Sequence, residues 1–189
     1  MKRRSTHSGL AAVTAIWLLC VLSACGSGAE GANSVTDEGG SSLIATSPTE
    51  LAQQAGELRS GGVDAFKAQL AALKGVPVVV NQWASWCGPC RYEFPFFASQ
   101  ATKLAGKVAF IGVDSKDSSD DAKAFLKANP VPYPSFEDQD GQIARLFRGG
   151  RAFPTTAFYD ANGKLTESYA GSYPTEAKLA EDIERYATQ

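Results

Sequence analysis

The chain has 189 residues, of which 44% are hydrophobic and 20% are charged, a composition typical of a globular protein rather than a disordered one. Its formal net charge is −2, and loss of the first 24 residues would leave 15 Lys and Arg against 20 Asp and Glu. An acidic surface of this kind argues against nucleic acid or anionic lipid as the main partner.

The first 25 residues have the pattern of an export signal. Three basic residues at positions 2–4 precede an apolar stretch at 10–22, which is too short to span a bilayer as a helix. The Leu-Ser-Ala-Cys sequence that ends at Cys25 resembles the lipobox of bacterial lipoproteins, in which the cysteine is lipidated and becomes the mature N-terminus. This predicts a signal peptide at 1–24 and an extracytoplasmic protein anchored to the bacterial cell membrane by lipid on Cys25. An uncleaved signal anchor is the alternative.

Processing at Cys25 would leave Cys87 and Cys90 as the free thiols of the mature chain. The same cut would remove the single histidine and the single methionine, which both lie in the signal segment. A chain without either residue has no imidazole base, cannot ligate haem through these side chains and is a poor copper or zinc binder. We therefore expect no metal site and no bound cofactor.

Residues 25–46 are rich in Gly, Ser, Ala and acidic side chains, with few large apolar groups. This composition predicts a flexible tether, and about 20 such residues span roughly 25 Å on average. The remaining segment, 47–189, is long enough for one sizeable hydrophobic core and shows no internal repeat. We therefore expect one folded domain on a tether.

The domain alternates between helical and strand periodicity. A capping-box pattern at 47–50 predicts a helix from Pro48 to about Arg59. The other predicted elements are, in chain order, a helix around Phe66, Leu70 and Leu73, a strand at 76–81, a helix at 89–104, a strand at 108–113, a helix at 117–128, an extended piece at 133–136, a helix at 139–147, a hairpin with strands at 155–159 and 165–169, and a helix at 175–187. Parallel β-α-β units that end in an antiparallel hairpin and a helix predict a three-layer α/β fold.

A CxxC pair stands where a buried strand gives way to a helix. The sequence Trp86-Cys87-Gly88-Pro89-Cys90 follows shortly after the apolar run at 76–80. A cysteine in the first turn of a helix faces unpaired backbone N–H groups and the positive end of the helix dipole, which both favour the thiolate. We therefore expect Cys87 to be an attacking thiol, and Cys90, one turn further along and more buried, to be the resolving thiol of a disulfide exchange.

Three other kinds of site compete with this interpretation. A structural zinc site would need two more Cys or His ligands, and a c-type haem site would need a histidine directly after Cys90, where this chain has Arg91. A purely structural disulfide remains, but such bridges seldom close a two-residue loop between a strand and a helix. The spacing favours a redox site.

The segment from about Gly62 to Gln189 resembles the thioredoxin fold, and in particular the TlpA/ResA-like disulfide reductases that act outside the cytoplasm. The resemblance rests on the motif that runs from Trp83 to Cys90, on Pro95 in the helix that follows, and on Phe153-Pro154-Thr155. The stretch from 112 to 136 is similar to the helix-and-strand insertion of TlpA-like proteins. The resemblance implies a three-layer sandwich with a central mixed sheet.

The same resemblance implies roles for residues outside the CxxC pair. Pro154 matches the cis-proline of the thioredoxin fold, where a cis bond turns the backbone of Phe153 toward the dithiol and lets it pair with an extended client segment. Trp86 is expected to form part of the same docking surface. Both Trp86 and Phe153 are therefore predicted to bind the client.

A proton acceptor is also implied for the resolving thiol. Thioredoxins carry a buried Asp behind the dithiol at the position that Asn81 occupies here, and an amide cannot take a proton from Cys90. Glu93 matches the acidic residue of the TlpA-like WCxPCxxExP pattern and lies one helical turn after Cys90, so it is the candidate base. A carboxylate that complements the helix dipole is the alternative role for Glu93.

The resemblance finally implies a reaction and its partners. The Gly88-Pro89 dipeptide is the pairing found in reducing thioredoxins, which indicates a reductase of disulfide-bonded protein clients that is recharged by a membrane electron donor. TlpA-like reductases commonly prepare apocytochrome c for haem attachment, so cytochrome c maturation is the implied setting. A thiol oxidase that donates its disulfide to exported proteins is one alternative. A metal-carrier lipoprotein is the other, which the lack of histidine and methionine disfavours.

Overall fold

The computed structural model describes residues 44–189. The predicted signal peptide, the predicted lipidation site at Cys25 and almost all of the predicted tether lie outside these residues. Within 44–189, no helix has the length and apolar character needed to cross a membrane.

Within the described residues, six strands form one mixed sheet. They are β1 (Leu58–Arg59), β2 (Val78–Trp83), β3 (Ala109–Ser115), β4 (Ser135–Asp138), β5 (Thr155–Tyr159) and β6 (Leu165–Ala170). The order across the sheet is β1-β4-β3-β2-β5-β6. The pairs from β1 to β2 are parallel, whereas β5 is antiparallel to both β2 and β6. Parallel neighbours require crossover connections, and the intervening helices supply them.

Helices cover both faces of this sheet. They are α1 (Pro48–Ala52), α2 (Gly62–Ala72), α3 (Gly88–Lys103), α4 (Ser119–Ala128), α5 (Gln142–Leu146) and α6 (Glu176–Tyr186). Buried side chains of α3, α4 and α6 share one apolar core with the sheet, and those of α2 and α5 share the other. The predicted three-layer α/β architecture is confirmed, and α4 with β4 occupies the place of the predicted helix-and-strand insertion.

The helix predicted from Pro48 to Arg59 is wrong in its second half. The structure ends α1 at Ala52, and residues Leu58 and Arg59 form the edge strand β1 beside β4. The Arg59 side chain is buried, lies over the Phe136 ring at 4.6 Å and donates a hydrogen bond of 2.9 Å to Gln69. These contacts join residues distant in sequence, and a local helical pattern carries no information about them.

Other boundaries shift by two or three residues. Strand β2 runs from Val78 to Trp83 rather than over 76–81, and β4 begins at Ser135 rather than at position 133. The extension of β2 to Trp83 carries the strand up to the active-site motif. The position of this strand end therefore determines where the CxxC pair lies.

Trp83 belongs to the buried apolar cluster that also contains Cys87 and Cys90. Its fully buried indole packs against the rings of Phe94 and Phe125, with ring centroids 5.3 and 5.2 Å away, and donates a hydrogen bond of 3.1 Å to Ser135 Oγ. Gly112 lies under this contact, and a Cβ atom there would overlap Ser135 Oγ and approach Trp83 Nε1 to 2.9 Å. The glycine is thus required for the indole to reach the insertion.

Candidate active site

The two cysteines lie at the start of α3 and form a disulfide with a Cα–Cα distance of 5.3 Å. Cys87 is the N-cap residue, and its Sγ accepts the backbone N–H of Cys90 at 3.1 Å. Cys90 is completely buried, whereas Cys87 keeps 3% of its surface exposed. Cys87 is therefore the less buried of the two cysteines, and its sulfur pairs with an N–H group of the first helical turn.

Two aromatic side chains stand beside the disulfide. The Trp86 ring is 57% exposed, and its centroid is 5.0 Å from that of Phe153. The Phe153–Pro154 peptide bond is cis, and Pro154 immediately precedes β5. Thr155 pairs with Gln82 near the C-terminal end of β2. This loop therefore lies at the same end of the strands as the CxxC motif. The structure thus brings together the residues predicted to bind the client.

Glu93 is a buried carboxyl one turn along α3 from Cys90. Its side chain is 0% exposed, and its Oε2 accepts the backbone N–H of Tyr173 at 2.8 Å. Its Oε1 has no hydrogen-bond partner among the described residues. Burial raises the pKa of Glu93 to about 8, and the Tyr173 N–H opposes this shift only partly. Such a carboxyl exchanges its proton near neutral pH, which suits it to general acid-base chemistry.

Further buried polar groups lie on the same side of the sheet as Glu93. Asn81 in β2 is 1% exposed, and neither atom of its amide has a partner within residues 44–189. Thr156 is paired opposite Asn81 and also has an unpartnered hydroxyl in the described structure. The Tyr133 hydroxyl is fully buried, and desolvation together with the charge of Glu93 raises its pKa. Unpartnered buried polar groups are costly, so their concentration here is typical of a functional site.

A second buried acid, Asp114, lies at the end of β3 and pairs in register with Trp83. It is 1% exposed, and burial, followed by the nearby charges of Asp117, Glu137 and Asp138, raises its pKa to about 8. Asp114 was not among the predicted site residues, although an acid directly after the apolar run of a buried strand is an available signal. Among the described residues, no group of three or more His, Cys, Asp and Glu side chains is arranged to bind a metal ion.

Tyr173, which holds Glu93 through its backbone, was not predicted either. It lies 80 residues after Glu93, in the loop between β6 and α6. Its ring stacks on Tyr169 with centroids 4.5 Å apart, and its hydroxyl donates a hydrogen bond of 3.2 Å to Asp182. No motif in the sequence connects these residues with the CxxC pair, because their proximity arises only when α6 packs on α3.

A relative of known class resembles this chain in sequence. The thiol-disulfide oxidoreductase ResA of Oceanobacillus iheyensis is 31% identical over 111 residues, which cover 58% of this chain and 57% of that protein. The chain therefore spans less than two thirds of the length of this relative. The alignment agrees with the predicted resemblance to ResA-like proteins.

Solved structures resemble the fold. The structure of a putative thiol:disulfide interchange protein DsbE from Chlorobium tepidum has a TM-score of 0.56 and 32% identity, covering 61% of this chain and 83% of that one. The exposed lipoprotein thioredoxin Etrx1 from Streptococcus pneumoniae strain TIGR4 has a TM-score of 0.54 and 25% identity, covering 61% and 89%. These similarities confirm the predicted thioredoxin fold.

The site and the sequence matches agree on one family. Residues 52–168 match the AhpC/TSA family. This match contains the whole CxxC motif, the buried Glu93 and the cis-proline loop, and it covers more than half of the chain. The protein therefore belongs to the AhpC/TSA family.

Proposed function

We propose that this protein is a thiol-disulfide oxidoreductase that reduces disulfides in protein clients outside the cytoplasm. The observation that carries the proposal is the Cys87–Cys90 disulfide at the N-terminus of α3, beside the cis Phe153–Pro154 bond and the exposed Trp86. The ResA relative and the DsbE-like structure support it, because both are named for thiol-disulfide chemistry.

The reaction begins with the reduced protein. The Cys87 thiolate attacks one sulfur of a client disulfide, so that a Cys87–client bond forms, the client S–S bond breaks and the other client sulfur leaves as a thiolate. The ionised form of Glu93 then takes the proton of Cys90, and Cys90 attacks Cys87 Sγ, which forms the Cys87–Cys90 disulfide and releases the second client thiolate. The client gains two electrons and the protein loses two. A membrane electron donor must then reduce the disulfide again.

The surface beside the disulfide suits an extended client. Among the described residues, the backbone N–H and C=O of Phe153, next to the cis bond, make no backbone–backbone hydrogen bond, so they can pair with a client strand while its disulfide is attacked. Trp86 offers an exposed aromatic ring on the adjoining side. This arrangement selects accessible disulfides in unfolded or locally extended segments rather than bridges inside a packed core.

Trapping of clients tests the proposal. In a Cys90→Ala variant, Cys87 can still attack, but the mixed disulfide is not resolved, so protein adducts should accumulate and disappear when a reductant is added. The matched control is the double variant Cys87→Ser with Cys90→Ala, which has no attacking thiol and should form no adducts. Absence of adducts with Cys90→Ala, while wild-type protein also fails to reduce a peptide disulfide, would remove the proposed function.

The direction of the reaction needs its own experiment. The Gly88-Pro89 dipeptide supports a reductase, whereas an oxidase would keep its pair as a disulfide in order to donate it. Thiol trapping in intact cells distinguishes the two, because the reductase should show a substantial reduced fraction of Cys87 and Cys90. A pair that is wholly oxidised in cells with the electron donor intact would favour the oxidase.

We also propose that lipid on Cys25 anchors the protein to the cell membrane. The lipobox-like sequence supports this, and the pneumococcal neighbour is itself described as an exposed lipoprotein. In cells, a Cys25→Ser variant should move from the membrane fraction to the soluble extracytoplasmic fraction and lose incorporation of labelled fatty acid. Incorporation that persists in the variant would place the lipid elsewhere.

The proposed client is apocytochrome c, which the resemblance to TlpA/ResA-like reductases implies. A tether of roughly 25 Å supports this, because it would keep the dithiol near the membrane surface where such maturation takes place. Deletion of the gene should lower the covalent haem content of c-type cytochromes in cells grown without added reductant. A normal haem content under these conditions would leave the oxidoreductase proposal standing but exclude this client.

A further inference from the structure

The segment that follows β3 holds the active-site loop by two hydrogen bonds. Asp117 Oδ2 accepts the backbone N–H of Ser85 at 2.5 Å, and the backbone carbonyl of Lys116 accepts the Trp86 indole N–H at 3.0 Å. The two acceptors are consecutive residues, and the two donors are the residues immediately before Cys87. The position of Trp86 therefore depends on the Lys116–Asp117 segment.

Lys116 has a backbone conformation that a side chain rarely adopts. Its φ is +56°, in the left-handed region, which costs on the order of 1 kcal/mol for a residue other than glycine. Its backbone N–H donates to the backbone carbonyl of Asp138 at 3.1 Å, and its Nζ donates to the backbone carbonyl of Gly150 at 3.2 Å. Gly150 lies three residues before Phe153, so Lys116 contacts both the Trp86 side and the cis-proline side of the disulfide.

Asp114 lies beneath this segment and is hydrogen-bonded to Asp117. Two further acids act on Asp114, since β4 places Glu137 opposite Asp114 and Asp138 one residue further on. Burial together with these three acids raises the pKa of Asp114 to about 8. At neutral pH Asp114 is therefore protonated and can donate its proton to Asp117, which leaves the Asp117 carboxylate as the acceptor for the Ser85 N–H.

We propose that Lys116 and Asp117 are positioning residues that set the orientation of Trp86 for client docking, and that the protonation state of Asp114 controls this attachment. The proposal rests on the proposed function. When Asp114 loses its proton to solvent, two adjacent carboxylates repel each other in a buried place. Asp117 then moves away from Asp114, the Ser85 hydrogen bond weakens and the Trp86 ring loses its fixed orientation.

Substitution of Asp117 tests the attachment in the full-length protein. Asp117→Ala should raise the KM for a disulfide-bonded peptide by about 5- to 10-fold, as expected for the loss of one hydrogen bond that orients a binding residue. The rate at which iodoacetamide alkylates reduced Cys87 should change by less than about 2-fold, because that small reagent needs no docking surface. The matched control is Asp120→Ala, which removes an exposed acid from the same region and should leave both values unchanged.

A double-mutant cycle then assigns the effect to Trp86. If Asp117 acts by orienting this ring, Asp117→Ala should have almost no further effect on KM in a Trp86→Ala background. Equal effects of Asp117→Ala in both backgrounds would overturn the inference, as would an unchanged KM or a parallel loss of alkylation rate in the single variant.

The role of Asp114 has a spectroscopic test that needs no catalysis. The emission of Trp86, obtained as the difference between wild-type and Trp86→Phe protein, should change with a midpoint near pH 8, and KM should rise over the same range. In Asp114→Asn the amide still donates to Asp117 at every pH, so both transitions should disappear. If the emission transition persists in Asp114→Asn, the inference is wrong. If it disappears while wild-type protein reduces no disulfide, the attachment stands and the proposed function fails.

Discussion

The two faces of the central sheet differ in how their buried carboxyl groups are hydrogen-bonded. On the α2 and α5 side, the Asp138 carboxylate accepts the N–H groups of Ile143 and Ala144 and the hydroxyl of Ser115. On the α3 side, the carboxyl groups of Glu93 and Asp114 each have a buried oxygen without a hydrogen-bond partner among the described residues. Both sets are equally buried, so depth alone does not separate them.

The difference indicates what each face contributes. A hydrogen-bonded carboxylate such as Asp138 fixes the start of a helix. A buried polar group without a partner instead lowers the free energy of unfolding. Glu93 and Asp114 bear this cost, and both have pKa values raised to about 8. The α2 and α5 side therefore stabilises the fold, and the α3 side holds groups whose protons move near neutral pH.

The largest expected effect on stability is on the α2 and α5 side. Phe66 is fully buried and packs against the rings of Phe136 and Phe147, with centroids 5.6 and 6.3 Å away. Phe66→Ala should lower the free energy of unfolding by about 3–5 kcal/mol in urea titrations. The alkylation rate of reduced Cys87 should stay at the wild-type value in whatever fraction remains folded. Phe66→Leu is the milder control, and an altered alkylation rate there would contradict the separation of the two faces.

The next effect is the dependence of the free energy of unfolding on pH. Groups on the α3 side should cause most of it. Glu93 keeps its proton in the folded protein up to about pH 8, whereas the unfolded chain releases it above its ordinary pKa of 4.5. The contribution of protonated Glu93 to the free energy of unfolding is therefore complete below about pH 4.5. It is lost as pH rises toward 8, by at most about 1.4 kcal/mol for each pH unit. Urea unfolding of the oxidised protein should show this decline, and Glu93→Gln should reduce it.

The same variant should affect the reaction. If Glu93 takes the proton of Cys90, Glu93→Gln should slow release of the client from the mixed disulfide by about 100-fold, the usual size of a general-base effect. Formation of the mixed disulfide should be little affected. A normal release rate in Glu93→Gln would mean that the carboxyl serves another purpose, while the pH dependence of stability would still test its burial.

A smaller effect is expected at Asn81, where neither amide atom has a partner in the described part of the chain. Asn81→Leu replaces the amide by an apolar group of similar size, so the free energy of unfolding should rise by about 1 kcal/mol. Val79 on the same face gives the contrast, because Val79→Ala should lower it through the loss of apolar packing. A loss of stability in Asn81→Leu would show that the amide is satisfied in solution.

The smallest effect is expected at the surface of the α3 side. Lys103 Nζ lies 2.6 Å from Glu176 Oε1, but 61% of the lysine side chain is exposed. Lys103→Ala should therefore change the free energy of unfolding by less than about 1 kcal/mol, and added salt should reduce the difference. Chemical denaturation at two salt concentrations measures this, and a larger, salt-independent change would contradict an electrostatic origin.

The sequence predicted those parts of the site that consist of residues adjacent in the chain. The CxxC pair, the Gly88-Pro89 dipeptide and the Phe153-Pro154 loop are short motifs, and the structure places them together at one end of the strands. Glu93 was implied by the resemblance to the TlpA-like WCxPCxxExP pattern, in which the acid follows the second cysteine by one helical turn. The strands and helices other than β1 were found, with shifted boundaries, because each one has its own apolar period.

The tertiary structure decided everything that depends on contacts between distant segments. The end of α1 and the presence of β1 follow from pairing with β4, more than 70 residues later, and local periodicity could not show it. Tyr173 donates its backbone N–H to Glu93, and Lys116 and Asp117 accept hydrogen bonds from the active-site loop. These bonds join segments that lie 30 to 80 residues apart. The chemistry of the dithiol is thus set by local sequence, because the reacting atoms lie within one helical turn. Burial and proton affinity around it are set by packing, because a pKa depends on which distant groups exclude water and place their charges nearby.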